Sequence, residues 1–360
     1  LKYAVTWSEF QYAGVKRGRY NRSKWGDDWV NTMLEPQKNP IINKLRLIDI
    51  PLELRNNLFD FNIYSNNRLF QPGGENYAKR YLNSFFEERI NLYSKNISKP
   101  ALSRQSCSRL SPYLAWGNIS MRQVWQASMQ FENRSNNLFN LRSFRSRLFW
   151  HCHFIQKFER EKNLESENFN KAFNQINKIE NDRFRESFEN AQTGYPLVDA
   201  CIRCLKETGY LNFRMRAMLV SFASHNLWLP WQKTAHFLAQ NFLDFEPGIH
   251  YPQVQMQSFM VGTHTLRIYN IIKQSLDQDF KGEFIKKWLP ELKDLPAELI
   301  HEPYNLSLFD SQAYNFFSGI SYPKPIVDYK ETSNYAKKIL IDTVRSFQAQ
   351  KENNRILNKH

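Results

Sequence analysis

From residue 73 onward the chain repeats one pattern: apolar side chains at three- and four-residue spacing, interrupted by turn residues. In "GGENYAKRYLNSFFEERINLY", Ala78, Tyr81, Leu82, Phe85 and Phe86 form one apolar stripe. Further amphipathic stretches run near 121–131, 139–159, 196–208, 213–229 and 234–243, and no strand-rich region or internal repeat separates them. The fold class this predicts is mainly α. Residues 1–72 read as a connector, 73–292 as one helical domain, and 293–360, where the pattern weakens, as an extension ending in a single frayed helix.

A helical chain with 12 glycines cannot hold a nucleotide in the common ways. Neither G-x-G-x-x-G after a strand nor G-x-x-x-x-G-K-[ST] occurs. "TGYPLVDACIRCLKETGYLNFRMRAMLVSF" raises a different question. Leu197, Val198, Cys201 and Leu205 predict a first helix stopped by Gly209, and Met215, Met218, Phe222 and Leu229 predict a second, ended by Pro230. Arg214 and Arg216 lie two apart on the second, about 200° around the axis, so at most one faces the core. A buried arginine needs a carboxylate or a phosphate.

The 49 basic residues exceed the 35 acidic ones by 14, which together with 15% aromatic residues favours a polyanionic partner, DNA being the expected one. Cys107, Cys152, Cys201 and Cys204 are too few for a disulfide framework, and no secretory leader stands before them, so a cytoplasmic setting is expected. Cys201-x-x-Cys204 lies inside an amphipathic helix with no second such pair, so it reads as packing and no metal is expected. No run of some 18 apolar residues is present, so no membrane span is expected, and a monomer is the simplest state.

"CSRLSPYLAWGNIS", 107–120, places Ser108 and Ser111 where a polar loop turns into an apolar helix, the setting for either helix capping or anion binding. In its order of residues the segment resembles the T-S-x-L-S-P-Y-L flavin signature of the DNA photolyase and cryptochrome family. "TGYPLVDACIRCLKETGY", "GTHTLRIYN" and "GEFIKKWLPEL" are similar to that family's other landmarks, in the same order, from about Gly73 to Leu292.

The resemblance implies a helical domain that holds FAD without a Rossmann turn. It implies Tyr93 at the flavin site, Cys107, Ser108, Leu110 and Ser111 around the pyrophosphate with Arg109 among them, and Arg216 paired with Asp244 beside the isoalloxazine ring. Phe245 and Glu246 follow at cofactor-contacting positions. His250 stands where the family commonly places an asparagine facing flavin N5, and with Trp231, the match to the middle tryptophan of the electron chain, it is the expected catalytic group. Trp150 and Arg214 match lesion-pocket positions, Arg267 falls near the lesion-facing rim, and Asn212 takes the position before the one held by Phe213.

Three departures change the expectation. Phe213 replaces a rim asparagine and Arg147 a dimer-contacting glutamate. Lys178 and Val254 (or Pro252) stand where the outer two tryptophans would be, leaving Trp228 or Tyr251 as substitutes. The amino-terminal α/β antenna domain is expected to be largely absent, and with it a second chromophore site. The reading is thus an FAD flavoprotein using blue light for electron transfer at a DNA-binding surface, leaning to a photolyase-like carbon–carbon lyase acting on pyrimidine dimers. The alternatives are a non-repairing photoreceptor and a helical nucleic-acid-binding protein without flavin.

Overall fold

The computed structural model describes residues 8, 10–12, 14–18, 22–38, 41, 43, 51–52, 69–132, 137–161 and 163–359. Most of the expected connector over 1–72 lies outside them. Among the described residues no β-strand occurs, only one isolated bridge between Ser318 and Tyr322. The helices of two turns or more are α1 (Trp25–Leu34), α2 (Glu75–Glu87), α3 (Met121–Glu132), α4 (Leu138–Arg160), α5 (Asp182–Glu189), α6 (Pro196–Thr208), α7 (Phe213–Ser221), α8 (Trp231–Asn241), α9 (Pro247–Gln257), α10 (Ile271–Gln278), α11 (Tyr329–Arg345) and α12 (Phe347–Lys359).

The stripes read from sequence face two apolar cores. Ala78, Leu82, Phe85 and Phe86 of α2 meet Trp25 and Trp29 of α1 and Leu141, Phe144 and Leu148 of α4 in one of them. The larger core is built on α6 and α7, where Leu197, Val198, Cys201, Leu205, Met215 and Met218 are buried. Leu295, Ile300, Tyr322 and Leu340 share it. Long α4 lies beside both cores, and α9 runs against it. A Cβ on Gly248 of α9 would come within 2.9 Å of the Ile155 Cα, so only glycine lets these two backbones approach this closely.

Gly209 ends α6 in the left-handed region (φ 64°), as expected, and its backbone carbonyl then accepts from Leu243 N at 3.0 Å. That bond brings the 242–246 loop back to the head of α7. Cys201 and Cys204 are buried and unbridged in α6, in keeping with packing.

Three expectations of helix extent are corrected. The helix expected over 213–229 is α-helical only to Ser221. Residues 222–226 then widen into a π turn, with Leu227 N donating to Phe222 O, five residues back, at 3.0 Å. The helix expected from Thr234 begins at Trp231, because Pro230 starts the next helix rather than only closing the previous one. The single carboxyl-terminal helix is two, α11 and α12, divided at Ser346, whose backbone is extended (ψ 148°). No helix among the described residues is long and apolar enough to cross a membrane.

Candidate flavin site

The head of α7, the end of α8, the 242–246 loop and α9 surround a half-open pocket. Its lining is mainly apolar: Phe213, Ala217 and Val220 from α7, Leu238 from α8, Phe242 and Phe245 from the loop. Arg216 and Asp244 are the charged pair in that wall. Arg216 donates from both terminal nitrogens to the two carboxylate oxygens at 2.9 and 2.8 Å, and from Nε to Leu211 O at 2.8 Å. The Asp244 side chain is 4% exposed. Burial alone would push its pKa up, but the Arg216 charge, the Arg216 hydrogen bonds and one from Ser111 pull it below the ordinary aspartate value. The negative charge awaited by the second arginine of "FRMR" is therefore Asp244, supplied by the loop that Gly209 returns to α7.

His250 stands on the opposite wall in α9, in ring contact with Phe245 at 5.4 Å and Phe242 at 6.1 Å. Its Nε2 lies 2.9 Å from Ala235 O. A carbonyl only accepts, so Nε2 carries the proton and Nδ1 is left as an acceptor. Burial lowers the His250 pKa to about 4, so the ring is neutral at pH 7. Glu246 caps α9 through Gly248 N at 3.2 Å, and burial raises its pKa. Gln253, also in the wall, has a buried Oε1 with no partner.

Beside this pocket the serine loop is held from outside by Arg89 and Gln71. Arg89 donates to the Cys107 and Ser108 carbonyls, and Gln71 donates to Arg109 O at 2.8 Å. Arg109 itself is left-handed (φ 58°), a conformation that costs a non-glycine residue about 1 kcal/mol or more. What holds it there is the face of Tyr210, 3.7 Å from its guanidinium carbon. Arg104 and Arg216 approach the same ring at 5.5 and 5.8 Å. Arg109 is 8% exposed, and its Nε has no partner. Several guanidiniums thus converge where Asp244 is one carboxylate already committed to Arg216. Arg109 alone among them is short of a partner, and an anion would supply one. The residues present therefore fit FAD: an anion-hungry loop, and next to it an apolar slot with an orphaned acceptor and one fixed ion pair.

The other sequence-expected residues fall in three places. Leu110 is buried in the amino-side core, and Tyr93 is buried there in ring contact with Phe85 and Phe144. Phe213 lines the pocket mouth and is 52% exposed, while Asn212 before it is buried and ties to Ile97 O at 3.0 Å. Arg214 is half-buried outside the pocket lining. Arg147, Trp150 and Arg267 are exposed; Arg147 acts on the Tyr93 hydroxyl, and Trp150 packs on His153 at 4.8 Å. Trp231 is buried and donates to Asn168 Oδ1 at 2.7 Å, one turn from the Ala235 carbonyl that holds His250.

Sequence reasoning missed Arg89, Arg104, Tyr210 and Gln253. Arg104 meets Tyr210 from more than 100 residues away, and no local pattern announces such a contact. Gln253 carried a weak signal: a polar residue three positions after His250 on one helix shares its face.

Residues 144–341 match the family model described as the FAD binding domain of DNA photolyase. Among curated proteins, the deoxyribodipyrimidine photo-lyase of Alkalihalophilus pseudofirmus is 27% identical over 261 residues, 72% of this chain and 53% of the relative. Cryptochrome-2 of Arabidopsis thaliana is 34% identical over 276 residues, 72% of this chain and 44% of its own length. The solved structure of a Synechocystis cryptochrome superposes with a TM-score of 0.72 at 27% identity, covering 82% of this chain and 61% of that one. The chain spans about half the length of the curated relatives it matches. The family model, covering more than half of the chain, settles the membership that its helices and arginines suggest: this chain belongs to the DNA photolyase and cryptochrome family and carries its FAD-binding domain.

Proposed function

We propose that this chain binds FAD in the pocket between α7, α8 and α9 and uses blue light to move single electrons through it, at a surface that contacts DNA. The observation that carries this reading is the Arg216–Asp244 pair, bidentate, largely buried and set in an otherwise apolar wall. Such a pair is costly to bury and is retained where charge beside it has work to do. FAD, when bound, supplies the light absorption and the one-electron chemistry. The chain's own residues orient and bind it: Ser108, Ser111 and the Arg109 guanidinium take the anionic part, Arg89 and Arg104 hold the neighbouring backbone from behind, and the apolar wall excludes water from the ring. His250 is neutral and presents an acceptor, so it withholds a proton from the pocket at neutral pH.

DNA contact is supported by the excess of 14 basic residues and by Arg147 and Arg267 standing exposed. The expected setting is a monomer in a reducing cytoplasm. Whether the chain repairs pyrimidine dimers is decided at the pocket mouth. Phe213 offers a ring there and no hydrogen bond, and neither Arg147 nor Trp150 lines the pocket. A dimer's carbonyls, stripped of water at this mouth without donors, bind poorly. These residues favour the non-repairing, photoreceptor-like reading over photolyase activity.

The test is to irradiate dimer-containing DNA with chemically reduced, FAD-loaded protein and count the restored thymines. Weak turnover with normal flavin content is expected, and turnover like that of an ordinary photolyase would overturn the non-repairing reading.

A further inference from the structure

We propose that Tyr251 is the electron donor to the pocket and that Glu165 takes its proton, a role resting on the FAD reading above. Tyr251 follows His250 in α9 and is 4% exposed. Its ring makes edge contacts with two side chains of the pocket wall, His250 at 5.3 Å and Phe245 at 6.2 Å, so it stands directly behind that wall. Phe158 stacks on it at 6.3 Å. Its hydroxyl donates to Glu165 Oε1 at 3.2 Å, and Glu165 lies on an exposed stretch of the 163–169 loop. A buried oxidisable ring is thus joined on one side to the pocket and on the other to a carboxylate open to water.

The chemistry follows from that placement. A phenol that loses an electron becomes a strong acid, so oxidation is easiest where a base already holds the hydroxyl hydrogen. Tyr251 gives one electron to light-excited FAD, which is reduced by one electron. The O–H bond breaks as the proton passes to the Glu165 carboxylate, leaving a neutral phenoxyl radical and a carboxylic acid. Burial, and then the Glu165 charge and hydrogen bond, hold the Tyr251 pKa up to about 12, so before excitation the residue is a neutral phenol with its proton aimed at Glu165.

The tryptophans are placed less well. Trp228 carries the Lys178 amine over its face at 4.4 Å; burial lowers that amine's pKa to about 7, so below neutrality it is a cation that opposes formation of an indole radical cation. Lys178 is itself fixed to Ser224 O at 2.6 Å. Trp231 gives its N–H to Asn168, a neutral amide oxygen that cannot hold a proton as a carboxylate does.

The experiment illuminates FAD-loaded wild type, Tyr251→Phe and Glu165→Gln with blue light at about pH 6, where Lys178 is charged. Radicals are recorded by electron paramagnetic resonance and flavin reduction by absorbance. The visible flavin band is measured first, and a protein that takes up no FAD overturns the flavin reading and this proposal together. With FAD bound, the wild type should give a tyrosyl signal. Tyr251→Phe should lose it and photoreduce about tenfold more slowly. Glu165→Gln, a surface change that leaves the fold intact, should keep its flavin, photoreduce more slowly and lose the wild-type difference between H2O and D2O. A tryptophanyl signal in wild type, or photoreduction in Tyr251→Phe at the wild-type rate, overturns the proposal while leaving FAD binding in place.

Discussion

The inner wall of the pocket and its mouth are built on opposite plans, although both are carried by the first turn of α7. Inside, Arg216 spends three donors on named acceptors, and its partner Asp244 is 4% exposed. At the mouth, three residues earlier, Phe213 is 52% exposed and makes no polar contact. The inside is specified to the atom, as a cofactor site must be, because a buried charge in the wrong place costs several kcal/mol. The mouth is specified only by shape and surrounding charge. If this wall seats the cofactor as proposed, a precise seat beside a featureless entrance is what a non-repairing electron-transfer role requires.

Removing Asp244 should expose that contrast most strongly. Asp244→Ala leaves Arg216 beside an apolar wall with no counter-charge, and we expect a loss of about 3 kcal/mol in unfolding free energy together with loss of bound flavin. Chemical denaturation and the visible band of the purified variant measure the two effects. Arg109→Ala separates cofactor binding from stability. It removes a buried cation whose Nε has no partner and leaves the left-handed backbone, which alanine shares, unchanged, so the flavin-free protein should be about as stable, while FAD affinity should fall by about 2 kcal/mol from lost bonds to a charged group. An equal drop in stability without FAD would mean that Arg109 serves the fold and not the anion.

Acidity probes buried imidazoles, of which His250 lines the pocket and His225 lies in the π turn after α7. His225 is fully buried, with its pKa lowered by burial to about 3, and His250 is lowered to about 4, against 6.5 in an unfolded chain. Between pH 6.5 and these values the unfolded chain binds protons that the folded one refuses. The stability these two rings contribute is therefore complete above 6.5 and falls as pH drops, by up to about 1.4 kcal/mol per pH unit for each ring that stays neutral, while Asp199, raised to about 6 by burial, opposes the fall below that value. Thermal melts from pH 7 to pH 4.5 test this, and His250→Gln should flatten part of the slope.

At the mouth the effects should be smaller. Phe213→Asn should keep stability within about 0.5 kcal/mol and leave flavin content unchanged, while improving affinity for dimer-containing DNA by about 1 kcal/mol through one new hydrogen bond. A large loss of flavin in this variant would show that the mouth and the inner wall are one structure. Arg147→Ala and Arg267→Ala should each weaken DNA binding uniformly across sequences and reduce the salt slope by about 1, which a binding titration at several salt concentrations reads directly.

What the sequence made legible follows the range of the interactions. The stripes on α2 and α6, the glycine stop at Gly209 and the all-helical class are set by neighbours three or four residues apart, and they were readable. Which arginine of "FRMR" turns inward is fixed by the helix, but its partner lies 28 residues away, and only the family resemblance pointed to Asp244. The π turn after Ser221 leaves no local signal, because every residue from Ala217 to Leu227 is buried and no exposed face marks the shift in phase that an inserted residue brings. The break at Ser346 was missed for a related reason: no proline or glycine marks it, and both halves are good helix formers. The Arg104–Tyr210 and Tyr251–Glu165 contacts join segments with no local relation, and only the folded chain reveals them.

The claim on which the account rests is that the wall around Arg216 and Asp244 holds FAD. The most direct measurement is the visible absorption spectrum of wild type and Asp244→Ala after refolding with excess FAD and removal of the free cofactor. About one FAD per chain is expected in the wild type and little or none in the variant. A colourless wild type, or a variant that keeps its flavin as firmly as the wild type does, would contradict it.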